Sequence, residues 1–211
     1  MDSSSMRGFY RISEWLMNFA YLNLLWITFT LLGLILFGSF PATVSMFVIV
    51  RKWVQGNRDF PIFKSFWDSY KKEFLKSNLL GLILIIIGGI LYTDFLFVKG
   101  HDGNLIQYTY YPLLILIVIF ILAMFYVFPI YVHFETKLIH ILKNSVLLMI
   151  MSPLITIMMV TFIIIFYYIL RFIPGLTPLF GASLFAYIIM WSSNLVFLKI
   201  EKYQNIDKQD A

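Results

Sequence analysis

Between Trp15 and Val50 the chain carries 36 consecutive residues without a charged side chain, and Pro41 lies inside the run. As one straight helix the run would be about 54 Å long, against a bilayer hydrocarbon core of about 30 Å. That is too long for one crossing and short for two, so the run has to bend. How it bends decides which side of a membrane each end occupies. Hydrophobic residues make up 61% of the 211 and charged residues 13%, with mean hydropathy +0.85, a balance that no soluble domain could bury. The sequence therefore reads as all-α, a polytopic transmembrane helical bundle forming a single membrane domain over residues 1–211.

The remaining totals exclude several function classes. The net charge of +5 fits cytoplasmic loops that collect Lys and Arg, and no nucleic-acid partner is expected. Without cysteine the chain can form no disulfide framework, thiolate metal site or cysteine nucleophile. Aromatic residues reach 19%, as befits rings anchoring helices at the headgroups. The first apolar stretch is too long for a cleavable signal and lacks a small-x-small site, so it is expected to stay.

Residues 1–6 are polar, and an interfacial segment up to Glu14 leads into a first span over Leu16–Phe37. A break is expected at Gly38-Ser39-Phe40-Pro41, because proline removes a backbone donor and disfavours helix before it. A shorter helix from Pro41 to about Gln55 follows. The segment 51–76 then holds seven cations against three anions. Within it Phe63, Phe66, Trp67, Tyr70 and Phe74 recur at helical spacing, which predicts a cytoplasmic amphipathic helix starting after Pro61 and lying on the membrane or under the bundle. Further spans are expected over Ser77–Val98, from about Tyr110 to Val132, within Asn144–Leu170, where Pro153 kinks the span or ends a short preceding helix, and from Pro178 to Leu198. A polar tail covers 199–211.

Cations alternate between connections: many in 51–76, Lys99 alone in the next, Lys137 and Lys143 in 133–143, Arg171 alone, then Lys199, Lys202 and Lys208. The positive-inside rule places 51–76, 133–143 and the C-terminus in the cytoplasm. Arg7 and Arg11 put the N-terminus there too, which requires the Trp15–Val50 run to cross twice. Six crossings are expected, with both termini inside; a single crossing of the run would leave five.

Four constellations carry the candidate residues. Arg51, Lys52, Trp67, Lys71, Lys72 and Lys76 form a basic-aromatic surface for anionic lipid or a partner, or simple positive-inside anchoring. Ser77, Gly81 and Gly88 form a small-residue stripe for close helix packing, within the chain or in a homo-oligomer. Asn18, Asn23, Thr28 and Ser193 offer a polar lining for a neutral solute, or interhelical hydrogen bonds. His133-Phe134-Glu135 with His140 lacks the i, i+4 histidine pair of a zinc-protease site, since the two histidines are seven apart, and Lys137 between them repels a cation. That stretch reads as a solvated face. No catalytic residues, metal or cofactor are assigned, and the absence of charge within the spans disfavours proton coupling.

Leu32-Gly33, Phe37-Gly38, Phe40-Pro41-Ala42-Thr43, Val50-Arg51-Lys52-Trp53, Phe66-Trp67, Tyr70-Lys71-Lys72, Phe74 and Lys76-Ser77-Asn78, followed later by Phe128-Pro129 and Leu142-Lys143-Asn144, resemble the YesL-like family of bacterial multi-pass membrane proteins. The resemblance implies a bacterial cell membrane and no catalytic residues. It also implies an accessory or regulatory role beside a carbohydrate-uptake ABC transporter, through whose membrane subunits it would act. The alternative from the residues alone is a small permease for a neutral polar solute such as a sugar.

Overall fold

The computed structural model describes residues 3–100, 104–134 and 136–209. Among these the chain is helical: α1 Ser3–Leu32, α2 Leu36–Val54, α3 Ile62–Lys99, α4 Asn104–His133, α5 Leu138–Met151, α6 Pro153–Phe172 and α7 Thr177–Gln209, with a 3-10 turn at Pro174–Leu176 before α7. Stretches of α1, α3, α4, α6 and α7 are long and apolar enough to cross a membrane. The fold is an all-α polytopic bundle.

The long uncharged run folds as a hairpin. Trp15 lies beside Trp53, with ring centroids 6.3 Å apart, the indole of Trp26 donates to Thr43 Oγ1 at 3.0 Å, and Gly33 meets Gly38. These three pairings run antiparallel, so α2 returns to the end where α1 begins. The 15 uncharged residues Leu36–Val50 are about 22 Å long, a short return leg beside a hydrocarbon core of about 30 Å.

The bend does not fall at Gly38–Pro41 as expected from the proline. It falls at Gly33–Ile35, where Leu34 and Ile35 have φ of 57° and 62°. Leu34 N donates to Leu31 O and Ile35 N to Thr30 O, the paired bonds that close a helix end through a left-handed residue. Pro41 is instead accommodated inside α2. Its missing N–H frees Phe37 O, one turn earlier, and Asn78 Nδ2 on α3 donates to that carbonyl at 3.0 Å. A neighbouring side chain thus satisfies the group the proline releases.

A second departure is the length of α3. The amphipathic segment and the following span were expected as separate helices, yet Ile62–Lys99 is one helix of 38 residues with Pro61 as its N-cap. No glycine or proline interrupts residues 62–80, so nothing ends the helix at the membrane boundary. α1 likewise extends back to Ser3, taking in the interfacial segment and part of the polar stretch 1–6 without a break, and α7 runs through the tail expected after Lys199. Pro153 ends a short preceding helix, with Ser152 at φ −133° between α5 and α6.

The core gathers the inward faces of α1, α2, α3, α4 and α7. Leu22, Val44, Ile49, Phe66, Leu80, Tyr126, Ile130, Met190 and Phe197 are almost wholly buried. α4 runs antiparallel to α3, through Tyr131–Glu73 at one end and Phe95–Tyr110 at the other.

Candidate functional site

The aromatic residues of 51–76 arise from the 3.6-residue period and divide between two faces of α3. Phe66 and Tyr70 are buried, and both pack on Phe29 of α1, with centroids 5.2 and 5.0 Å away. Tyr70 also donates its hydroxyl to Phe29 O at 3.2 Å, beside the Gly33–Gly38 crossing. Trp67 touches Phe29 on one edge but is exposed on the other, where Lys71 Nζ sits 4.9 Å from its ring. Lys64, Asp68, Lys71, Lys72 and Lys76 are exposed. Ion pairs of Lys71 with Asp68 and of Lys72 with the half-buried Glu73, each 3.9 Å long, have their lysines in solvent and add little stability. Because Glu73 marks the level of Tyr131, near the end of α4, the eleven residues before it carry α3 about 16 Å beyond that level.

The six basic-aromatic candidates therefore separate. Trp67, Lys71 and Lys72 form an outward face. Lys76 leans over the Tyr131 ring at 5.1 Å, and Lys52 bonds Ser65 Oγ at 3.3 Å while lying over Phe60. Arg51 turns inward and donates to Val132 O at the last turn of α4, where a cation complements the helix dipole. Arg51→Ala should detach α2 from α4 and leave that carbonyl unpaired, costing about 1–3 kcal/mol in a thermal melt of the detergent-solubilised protein, while Arg51→Lys recovers part of the loss.

Beside Arg51 lies a feature that sequence reasoning assigned elsewhere. His133 is not on a solvated face: its side chain is 11% exposed, stacks on Phe197 at 4.2 Å and has Nε2 3.6 Å from Glu201 of α7. The seven-residue spacing to His140, which is exposed, gave no hint, because the partners come from α7. Glu135 lies outside the described residues.

The small-residue stripe meets two neighbours. Ser77 is buried, Gly81 lies against the Phe40 ring of α2, and Gly88 faces Phe120 of α4, where an added Cβ would stand 3.6 Å away. All three therefore have surroundings within the chain.

The four polar candidates do not share a lining. Asn23 is buried on α1 and is used entirely by α7: Nδ2 donates to Pro178 O at 2.7 Å, and Oδ1 accepts from Ala182 N at 2.9 Å and Ser183 N at 3.1 Å. Thr28 is exposed on α1, and Ser193 is fully buried with no hydrogen-bond partner among the described residues. Asn18 alone lines an open cleft, together with Glu14, Trp15, Trp53, Gly56, Arg58 and Asp59.

Comparison with known proteins places the sequence in a family. The family described as "Protein of unknown function, DUF624" matches residues 19–95, which take in the latter part of α1, all of α2 and nearly all of α3. Three Bacillus subtilis (strain 168) proteins, each described as uncharacterised, are similar over most of the chain. YteU is 40% identical, covering 92% of this chain and 86% of its own; YesV is 36% identical, covering 95% and 97%. YesL is 35% identical over 75% of each. No solved structure matches. The hairpin of α1 and α2 braced by a long α3 is thus the part the family description covers, and the chain belongs to the DUF624 family of YesL-like membrane proteins.

Proposed function

We propose that the protein is a non-catalytic membrane partner of a carbohydrate-uptake ABC system, docking through the charged end of α3. The observation that carries this reading is the outward face of Trp67, Lys71 and Lys72 on a helix whose opposite face is already filled by Phe29. An exposed tryptophan with a lysine ammonium against its ring is of the residue type that dominates protein interfaces. The carbohydrate partner comes from the family resemblance, and the surface from the geometry. Affinity purification from cells expressing the transporter should recover its membrane subunits with the wild-type chain. The triple variant Trp67→Ala, Lys71→Glu, Lys72→Glu should lose them while inserting normally. Recovery of the wild-type protein alone would count against the reading.

In this reading the charged end of α3, the 133–143 connection and both termini face the cytoplasm of a bacterial cell. The chain has no cysteine, so single cysteines report without background. Asn57→Cys should be modified by an impermeant maleimide only after the membrane is opened, and Gly175→Cys in intact cells. The reverse pattern would invert the topology. A permease for a neutral solute draws less support, because the amide of Asn23 is occupied by α7 and the other polar candidates lie apart.

A further inference from the structure

We propose that the cleft at the start of the hairpin holds the headgroup of an aminophospholipid, with the acyl chains lying along α1. The cleft has a volume of about 400 Å³, inside the range of about 300–1,000 Å³ usual for small-molecule sites. Two indoles wall it. Trp15 and Trp53 meet at 6.3 Å, and Trp15 is held edge-on by Tyr187 of α7 at 5.7 Å. The polar groups come from two places in the chain, Glu14 and Asn18 on α1 and Arg58 and Asp59 in the connection before α3. Gly56, at φ 88°, turns that connection over the opening, and nothing lies within 4 Å of where its Cβ would be.

The charges are arranged for a zwitterion. Arg58 lies over the Trp15 ring, with Cζ 4.5 Å from the centroid, so the aromatic wall already receives a cation. Arg58 forms no ion pair among the described residues, although Glu14 and Asp59 line the same cleft, and neither carboxylate has a hydrogen-bond partner there. Two carboxylates accept from a primary ammonium, which has three donors to give, and the guanidinium fork matches a phosphate. Among the described residues of its lining, two carboxylates stand against one cation, which disfavours a headgroup that carries only negative charge.

The same face of α1 supplies a path for the chains. Met17, Tyr21, Leu24, Thr28 and Leu31 follow Glu14 at i+3, i+7, i+10, i+14 and i+17, and all are exposed. That spacing makes one continuous stripe from the edge of the cleft along α1 towards the bend. A polar cleft opening onto a stripe that is apolar apart from Thr28 fits one molecule with both characters, which points to a lipid rather than free phosphoethanolamine, although both carry the same polar group.

Native mass spectrometry of the detergent-purified chain, offered equal phosphatidylethanolamine and phosphatidylglycerol, tests this. The wild type should retain phosphatidylethanolamine in preference, by about tenfold. Glu14→Gln with Asp59→Asn should abolish the preference, and since both side chains are exposed and unpaired its melting should match wild type. Met17→Asn should weaken retention of the lipid without affecting soluble phosphoethanolamine. Equal retention of the two lipids by the wild type, or an unchanged preference in the double variant, overturns the proposal. Tight binding of soluble phosphoethanolamine that neither lipid displaces also overturns it, and marks the cleft as a site for a free solute.

Discussion

Valine at position 38 is expected to keep the chain from reaching its folded state. A Cβ on Gly38 would stand 2.5 Å from Thr30 O, 2.7 Å from Phe29 O and 2.9 Å from Gly33 Cα. All three are backbone atoms, so no rotamer change makes room, and α1 and α2 would have to move apart. Separation would also break the bond from Tyr70 to Phe29 O and withdraw Phe37 O from Asn78. Overpacking typically costs about 1–3 kcal/mol and more where backbone must shift; here several contacts fail together, so at least about 3 kcal/mol is expected. The measurement is the yield of monodisperse protein in mild detergent, and its melting temperature where any is recovered. Gly89→Ala is the internal contrast. Nothing lies within 4 Å of a Cβ there, and replacing a helix-interior glycine should raise stability by about 0.5–1 kcal/mol. A Gly38→Val protein that melts like wild type would mean that the two helices do not cross there.

Asn23→Leu carries the next largest expected effect. The side-chain amide stands between Pro178 O and Ala182 N, which are one helical turn apart, and bonds to both while also accepting from Ser183 N. It therefore fastens the first turn of α7 to the middle of α1. Leucine fills similar volume but bonds to nothing, so the loss is that of the hydrogen bonds and not of packing. An average interhelical bond within a membrane is worth about 0.6 kcal/mol, whereas a buried group left unpaired costs about 1–3 kcal/mol. Three linked bonds place the variant near 2–3 kcal/mol, seen as a lowered melting temperature. A second readout is local: freeing the start of α7 should speed tryptic cleavage at Arg171, exposed in the last turn of α6 beside the connection to α7. Unchanged cleavage with a lowered melt would place the loss elsewhere in the bundle.

Some of this was legible from residue order. The length of the Trp15–Val50 run demanded a bend, and apolar periodicity located the long helices, because both depend on local spacing alone. The position of the bend was not legible. Pro41 and Gly38 look like a hinge in sequence, yet the proline is tolerated because Asn78, 37 residues later, supplies a donor to Phe37 O. Gly38 is needed for close approach, not for turning. The bend is made by Leu34 and Ile35, residue types that do not announce a left-handed turn. The continuity of α3 was missed for the opposite reason. A change from polar to apolar composition marks a change of solvent, and a helix passes through that boundary if nothing breaks its backbone. For the candidate site, the aromatic stripe was visible but its two faces were not, because Phe29 on another helix decides which rings are covered. The roles of Asn23 and His133 depend on partners in α7 that lie more than sixty residues away from either.

The unbroken length of α3 has a mechanical consequence. From Trp67 to Gly81, where Phe40 bears on it, the helix measures about 21 Å, and from Gly81 to Lys99 about 27 Å. With the hairpin as fulcrum these are the two arms of a lever. A tilt of about 5° imposed at Trp67 would carry the opposite end sideways by about 2 Å, unless the paired glycines at 88 and 89 absorb it as a soft joint.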